Sequence, residues 1–594
     1  MTNYDFLLMS LRKNESIVSI LWRVFTLLDY SERKRSALLL GSILANTVVE
    51  ILGLAILVPV IGLVVQPDTI QTNEFLNYAF DFSQTLGIAS TNDFLIALCL
   101  LMIGAFLFKA MFGLFVNLFQ TRFAFAMAHR LSGLLWTHHF TKSYEVMRSS
   151  NSGEILTEIG VWPIYFAQVF MVGGLLILTE ITIVLIICGG LLVYNPSLFI
   201  SITILLVAGA IVIRIGTKRR LSDYSTQRAR LEPHTNTLVN NAIRGFLEIL
   251  TFRASNAVRD AFLRNRSTLF RIQSNTTVLN FAPAKLYEVL AVMAVSGSII
   301  ISLLQDAPQS GFLQMLSLMA ISAYRILPSM NRLNGAIMQM RGQMHVLETI
   351  ERVNSIDKEQ PPTKLESVSQ LNLVEIQIYD LSLEYSTLDT PVIQGLTKTF
   401  RHGKIHCIVG PSGSGKSTLI GALLALHPTT SGKIVITSQS TPPLTLGYDF
   451  KFEHWMLNVG YLSQRPFLFE GTVRENLTLR VPEAKINERR VLRLIDTLGL
   501  RTSLGEHPFD FKIQEGGSNL SGGEQQRLAL IRALQHPRAV LILDEATSAL
   551  DSKMRDIVLL LLREEANAGC NVIIVTHDET TSENCDSVLR LNGN

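Results

Sequence analysis

The nine residues Gly410-Pro411-Ser412-Gly413-Ser414-Gly415-Lys416-Ser417-Thr418 fit the pattern GxxxxGK[ST]. They follow the apolar run Ile405–Val409 and precede the helical stretch Leu419–Leu426, the strand–loop–helix setting that this pattern needs. Glycines let successive backbone N–H groups curl around phosphate oxygens. The helix that follows turns its N-terminus to the same anion. Lys416 adds a point charge for the β- and γ-phosphates, and Ser417 is placed to hold Mg²⁺. The predicted ATP-contacting set is Gly410, Ser412, Gly413, Ser414, Gly415, Lys416, Ser417 and Thr418. Taken alone, the pattern also occurs as a chance glycine-rich turn.

A second element points the same way. Val540-Leu541-Ile542-Leu543-Asp544-Glu545 is an apolar strand ending in two carboxylates. Asp544 at the strand end suits a Mg²⁺ shell, and Glu545 can polarise a water for attack on the γ-phosphate. The alternative is a pair of solvated acids. Val572–Val575 is another buried strand, followed by Thr576 and His577. His577 is within reach of bonding the γ-phosphate and orienting the water, although a lone histidine after a strand is more often structural. From about residue 371, short β-rich runs such as Ile434–Ile436 alternate with helical stretches, an α/β pattern.

The N-terminal half is different in kind. The 594-residue chain exceeds one domain at about 150 residues each. Charged residues are 17 % of it, against roughly 25 % in ordinary soluble proteins. Mean hydropathy is +0.31. These values exclude a disordered chain, a collagen or a small disulfide scaffold. The net charge of +3 gives no support to nucleic acid as a partner. Six runs are long enough to cross a ~30 Å hydrocarbon core as helices: about 37–66, 94–118, 164–193, 197–215, 286–304 and 311–328. Segment 67–93 has no Lys or Arg, whereas 214–285 has thirteen and 119–163 carries Arg122, Arg130, Lys142 and Arg148. Positive loops stay inside, so both termini and the two long loops are expected in the cytoplasm. Those loops are too long for simple connections. They predict helices that run on out of the bilayer, turning near 144–152 and 238–250, where they could touch another domain. Residues 1–36, with Arg12, Lys13, Arg23, Arg33, Lys34 and Arg35, read as a segment on the membrane surface rather than a cleavable signal.

Residues 351–370, polar and containing Pro361 and Pro362, read as a linker. The predicted organisation is therefore a membrane domain at 1–350, a linker at 351–370 and a nucleotide-binding domain at 371–594. The fold class is an all-α six-helix transmembrane domain joined to an α/β P-loop ATPase domain. Cys99, Cys188, Cys407, Cys570 and Cys585 are odd in number and widely spaced, and suggest neither a zinc site nor a disulfide framework.

Asn519-Leu520-Ser521-Gly522-Gly523-Glu524-Gln525-Gln526-Arg527 resembles the signature motif of ATP-binding-cassette (ABC) ATPases, with Glu524 where the family usually has Gln. Ser548-Ala549-Leu550-Asp551 resembles the family's D-loop. Gln464, in Tyr461-Leu462-Ser463-Gln464-Arg465-Pro466, resembles its Q-loop glutamine. Tyr385, 25 residues before Gly410, resembles the aromatic that stacks on adenine. Gln514–Asn519 sits where exporters carry the short loop that touches the membrane domain. Six spans followed by one cassette is the half-transporter layout of ABC exporters. The resemblance implies that two chains pair as a homodimer, each P-loop nucleotide being covered by the partner's signature motif through Ser521, Gly522 and Gly523, with Asp551 nearby. It implies Gln464 as a Mg²⁺ ligand beside Ser417 and Asp544, and as a helper of Glu545 and His577 in hydrolysis. Only 17 residues follow His577, fewer than in many relatives, so the expectation is either a short variant or a truncated chain.

Ionisable residues in the spans are functional candidates by default: Glu50, Lys109, Glu180 and Arg325, with Arg332 just beyond. One reading is pairing between helices or snorkelling. The other is a cavity that handles a charged headgroup, where Arg325 and Arg332 suit phosphate or pyrophosphate. Asn46–Ile61 and Tyr324–Arg332 resemble the first and sixth spans of bacterial lipid-linked oligosaccharide flippases, and loop 67–93 is long enough for their external helix. This resemblance implies membrane lipids and a polyprenyl-pyrophosphate glycolipid as partners, in the bacterial inner membrane, with Glu50, Arg325 and Arg332 as substrate residues. A peptide, a drug or a plain lipid is the alternative cargo.

Overall fold

The computed structural model describes residues 16–65, 74–85, 90–142, 144–194, 196–304, 309–359, 373–384, 391–439, 442–447, 452–481, 486–546 and 550–591. The chain divides into two compact units: Met1–Lys142 with Ser149–Pro361, and Ser143–Arg148 with Pro362–Asn594.

The first unit is helical. Its long helices are α1 (Tyr30–Val65), α2 (Thr91–Phe140), α3 (Gly173–Tyr194), α4 (Pro196–Arg244), α5 (Ser255–Leu304) and α6 (Gln309–Gly342). The six apolar runs fall one on each, the third entered through a π-helical segment, Phe166–Val172. Helices α2, α4 and α5 have 50, 49 and 50 residues. At 1.5 Å per residue they are about 75 Å long, far longer than a ~30 Å hydrocarbon core. A short helix, Phe246–Thr251, stands at the second expected turn; the one at the first, Tyr144–Ser149, belongs up to Arg148 to the second unit. Glu74–Thr85 is helical within the stretch 67–93.

Leu39, Phe123, Met127, Leu131, Phe166 and Phe170 pack into one buried cluster. Helix α2 turns the opposite character outward: Leu107, Phe108, Met111, Leu114 and Phe115 are each at least 60 % exposed. Water does not tolerate so continuous an apolar strip. Among the described residues, Thr91–Phe140 and Ser152–Val193 are long and apolar enough to cross a membrane.

The stretch 351–370 is not all linker. The helix Met344–Glu359 runs through its first nine residues. Val346, Leu347, Ile350 and Val353 keep an i, i+1, i+4, i+7 spacing and are buried, which holds the polar residues between them in helix.

The second unit is α/β. Strands β1 (Leu373–Leu383), β2 (Ile393–Arg401), β4 (Ser431–Ser438) and β5 (Leu444–Thr445) form an antiparallel sheet in the order β2-β1-β4-β5. Strands β3 (Ile405–Val409), β6 (Val459–Leu462), β9 (Val540–Asp544), β10 (Asn571–Val575) and β11 (Ser587–Arg590) form a parallel sheet in the order β11-β3-β10-β9-β6. A small hairpin pairs β7 (Gly471–Thr472) with β8 (Lys512–Ile513). The parallel strands are covered on both faces, and their period of two shows in the packing. Cys407, Leu541, Leu543, Val572 and Ile574 enter one core; Ile408, Ile542, Ile573 and Val575 enter the other. Four helices bear on the site: α7 (Lys416–Leu423), α8 (Gly522–Leu534), α9 (Ser552–Asn567) and α10 (Glu579–Glu583).

Candidate nucleotide site

Parallel register brings three loops to one edge. Val575 lies opposite Asp544 across β10 and β9, and opposite Ile408 across β10 and β3. The chain therefore leaves β3 at Gly410, β9 at Glu545 and β10 at Thr576 along the carboxyl edge of the sheet, where open α/β sheets bind ligands.

The loop after β3 needs its glycines. Gly413 has φ 83° and Gly415 φ 90°, backbone that L side chains avoid. A Cβ on Gly410 would lie 2.5 Å from Leu591 O and from Ser414 Oγ. Lys416 Nζ folds back over the loop and donates to the carbonyls of Gly410 (2.7 Å) and Pro411 (2.8 Å). Ser412, Gly413 and Ser417 are exposed, and Thr418 is buried at the start of α7.

Glu545 is held from four directions. It adopts φ 53°, a left-handed conformation that costs a non-glycine residue free energy. Its N–H donates to Val575 O at 2.9 Å, and its carbonyl accepts from Gln526 Nε2 at 2.9 Å. Its carboxylate accepts from Gln464 Nε2 at 2.8 Å and stands 3.5 Å from His577 Nδ1. The three predicted catalytic residues are thus together. Sequence reading missed Gln526, a buried side chain of α8 that fixes the Glu545 backbone; its position two residues after Glu524 in the signature motif was the available signal.

Burial and the adjacent Glu545 push the Asp544 carboxyl upward, against the pull of Lys416. A divalent cation would relieve that repulsion. Ser417, Gln464 and Asp544 offer only oxygen donors, the set that Mg²⁺ takes, so the residues present fit the ion.

The signature motif is organised around the start of α8. Ser521 caps the helix, and Glu524 reaches back to the Ser521 N–H at 2.8 Å and Oγ at 2.7 Å, a capping box. Ser503 also donates to Glu524. These bonds, the Ser503 one first, hold the Glu524 carboxyl below its usual range. The acid at the motif's fifth position therefore has a structural task that glutamine shares. Glu524→Gln is expected to leave thermal stability nearly unchanged, and Glu524→Ala to cost about 1 kcal/mol, read by denaturant titration. Gly522 and Gly523 form the first turn of α8. Asp551 caps α9, accepting from Met554 N at 2.7 Å. Tyr385 and residues 547–549 lie outside the described residues.

Asp578, one residue after His577, caps α10 and accepts from Thr581 Oγ1 (2.7 Å) and Arg555 (2.8 Å). The Thr581 bond, more than Arg555, draws its carboxyl down to about 2. The stabilisation is therefore complete above the unfolded value of 3.8 and is lost as pH falls through about 2. Asp578→Ala should cost about 1 kcal/mol at neutral pH. The gap from the parent should close between pH 4 and pH 2 in denaturant titrations.

In the helical unit, the tentative substrate residues are paired across helices. Arg325 of α6 donates to Glu50 of α1, and Arg332 of α6 donates to Glu180 of α3. Lys109 of α2 is within electrostatic reach of the first pair. The Arg325 and Glu50 side chains are 15 % and 20 % exposed; Arg332 is 41 % exposed while Glu180 is 4 %. Of the two readings of these charges, pairing between helices is the one seen. Within the second unit, His427 Nδ1 lies 2.8 Å from Glu145 Oε1.

Residues 393–548 match the family described as ABC transporter. A bacterial Atm1-family ABC exporter with ATP bound aligns over 95 % of this chain and 94 % of its own, at TM-score 0.73 and 18 % identity. The chain thus has the fold of an ABC exporter, an all-α domain followed by an α/β ABC ATPase domain. Among curated proteins it is similar to ABC transporter B family member 29, chloroplastic, of Arabidopsis thaliana, 36 % identical over 34 % of this chain and 31 % of that protein. It is also similar to the ABC multidrug transporter MDR2 of Trichophyton equinum, 34 % identical over 40 % of this chain and 17 % of that one. The matched stretch spans less than a third of these relatives' length.

Proposed function

We propose that this chain is half of an ATP-driven exporter: two copies pair, and ATP hydrolysis at the carboxyl edge of the parallel sheet moves an amphiphile across the membrane by alternating access. One observation carries the reading. Lys416, Asp544, Glu545 and His577 stand at strand and helix ends that one sheet brings together, in a chain whose other unit has six long helices, α2 among them with an apolar face turned outward.

In this reading the 410–418 loop and Lys416 hold the β- and γ-phosphates. Ser417, Gln464 and Asp544 hold Mg²⁺, which when bound neutralises phosphate charge. Glu545 orients the attacking water and draws its proton, and His577 contacts the γ-phosphate. Ser521, Gly522 and Gly523 of the second copy cover the nucleotide, so the active unit is a homodimer. The membrane domain is assigned to 1–350, the linker to 351–370 with its helical start, and the ATPase domain to 371–594. The charge of the loops supports a cytoplasmic position for the termini and the ATPase domain, and the resemblance to bacterial lipid-linked oligosaccharide flippases supports a bacterial inner membrane as the site.

For the cargo, the reading is a lipid-linked oligosaccharide or related polyprenyl-pyrophosphate glycolipid. The half-exposed Arg332 and the paired Arg325 supply cations that a diphosphate would take over from Glu180 and Glu50. The drug reading has its own support in the multidrug transporters among the relatives. Reconstitution in liposomes separates them. ATP turnover stimulated by a polyprenyl-pyrophosphate glycan, with appearance of the glycan on the far leaflet, is expected. Turnover insensitive to that lipid, beside vectorial export of a soluble drug, overturns the glycolipid reading.

A further inference from the structure

Cys407 and Cys585, 178 residues apart in sequence, are joined as a disulfide with their Cα atoms 5.9 Å apart, within the ordinary span of such a bond. This corrects the expectation from cysteine spacing, because the partners meet only when β11 lies along β3, with Val588 opposite Cys407. Cys407 is wholly buried on β3, three residues before Gly410. Cys585 is partly exposed in the turn between α10 and β11. Both sulfurs sit against the Thr581 carbonyl, at 3.9 and 3.4 Å. Thr581 is also the partner of Asp578, the neighbour of His577. The bond therefore ties the strand that feeds the phosphate loop to the segment that carries the γ-phosphate histidine. Cys99, Cys188 and Cys570 are free thiols.

We propose that Cys407 and Cys585 are a reversible dithiol–disulfide switch that restrains the His577 loop and so slows ATP turnover, with a low-molecular-weight disulfide of the glutathione type as oxidant. The exposure of Cys585 gives the order of events. Cys585 loses its proton to solvent, and its thiolate attacks the oxidant, releasing one glutathione and leaving a mixed disulfide. The Cys407 thiolate then attacks the Cys585 sulfur and expels the second glutathione. Two protein thiols and one oxidised glutathione become one protein disulfide and two reduced glutathiones; excess reduced glutathione runs the exchange backwards. In the open form, α10 and β11 lose their covalent tie to β3 and keep hydrogen bonds to β3, among them Ile405 N to Asp586 Oδ2 at 2.8 Å, and to Arg555 and Arg563 of α9; the His577 loop then gains freedom to close on and release a phosphate.

The inference on turnover rests on the ATPase reading above; the exchange chemistry does not. The full-length protein is equilibrated over a series of reduced-to-oxidised glutathione ratios and its thiols are then blocked. Cross-linked 407–585 peptides are quantified by mass spectrometry beside ATP turnover. The cross-linked fraction should follow the ratio, and turnover should fall roughly three-fold on oxidation and recover on reduction. Cys585→Ser, at a partly exposed site, should remove both responses, and Cys407→Ala should do the same. Four results would overturn the switch: no cross-link in the most oxidising mixture, a cross-link that survives full reduction, unchanged turnover despite cross-linking, or a redox response that persists in Cys585→Ser. If no state hydrolysed ATP, the ATPase reading would fail by itself. Hydrogen exchange of 576–590, slowed by the bond and unchanged in Cys585→Ser, would still decide the switch, and equal exchange in both redox states would overturn it.

Discussion

Glu545→Gln is expected to lower ATP hydrolysis by about 10²–10⁴-fold, the usual contribution of a positioned general base, while leaving nucleotide binding intact. Glutamine keeps the size of the side chain and still accepts from Gln464 through its amide oxygen, so the geometry at the sheet edge survives. It cannot take a proton from water. The backbone restraints, from Val575 O and Gln526 Nε2, do not involve the side chain and are unchanged. ATP should then accumulate between paired chains, seen as MgATP-dependent dimers that no longer dissociate in light scattering. A variant that turns ATP over at the parent rate would remove Glu545 from the role of base. A variant that lost nucleotide binding as well would make it a structural residue. Gln526→Ala gives a milder comparison: the φ 53° conformation of Glu545 loses a support, and turnover should fall with little change in ATP affinity.

How far the site could be read from sequence follows the distance over which each cue acts. The phosphate loop and the Asp544-Glu545 pair are local patterns, each attached to its own strand, and the parallel sheet only had to set them side by side. The convergence of Gln464 and His577 on Glu545 came from resemblance and spacing, and its geometry is now explicit. Glu524 read as a departure from a family pattern; its physical reason, a capping box with Ser521, is a three-residue rule that was available. The helix through Glu359 was also legible, in the buried spacing of Val346, Leu347, Ile350 and Val353, but two prolines drew the boundary too early. Pairings between distant segments were not legible. Cys407 meets Cys585 across 178 residues, and Glu50 meets Arg325 across 275. Spacing carries no information at that range, and only the packed fold supplies it.

That last pairing gives Arg325 two possible uses, and Arg325→Ala should have the second largest effect. Removing the guanidinium leaves the Glu50 carboxylate, 20 % exposed, without its direct partner. Breaking such a pair from one side costs on the order of 3 kcal/mol, because the remaining charge stays poorly solvated; Lys109 nearby softens this. Glu50→Ala alone leaves Arg325 in the same position. Removing both charges together should recover most of the stability, a coupling visible in a double-mutant cycle of thermal unfolding. Transport separates the two uses of the arginine. If Arg325 only staples α6 to α1, the double variant regains substrate-stimulated transport along with its stability. If the guanidinium also receives an anionic headgroup, the double variant is stable and keeps its basal ATP turnover, yet transport stays low and ATP turnover no longer responds to the lipid. The second outcome is expected, since a staple alone needs no cation in preference to an apolar contact. The same cycle on Arg332 and Glu180 should show a smaller stability term, because the Arg332 side chain is already 41 % exposed and its head retains part of its hydration.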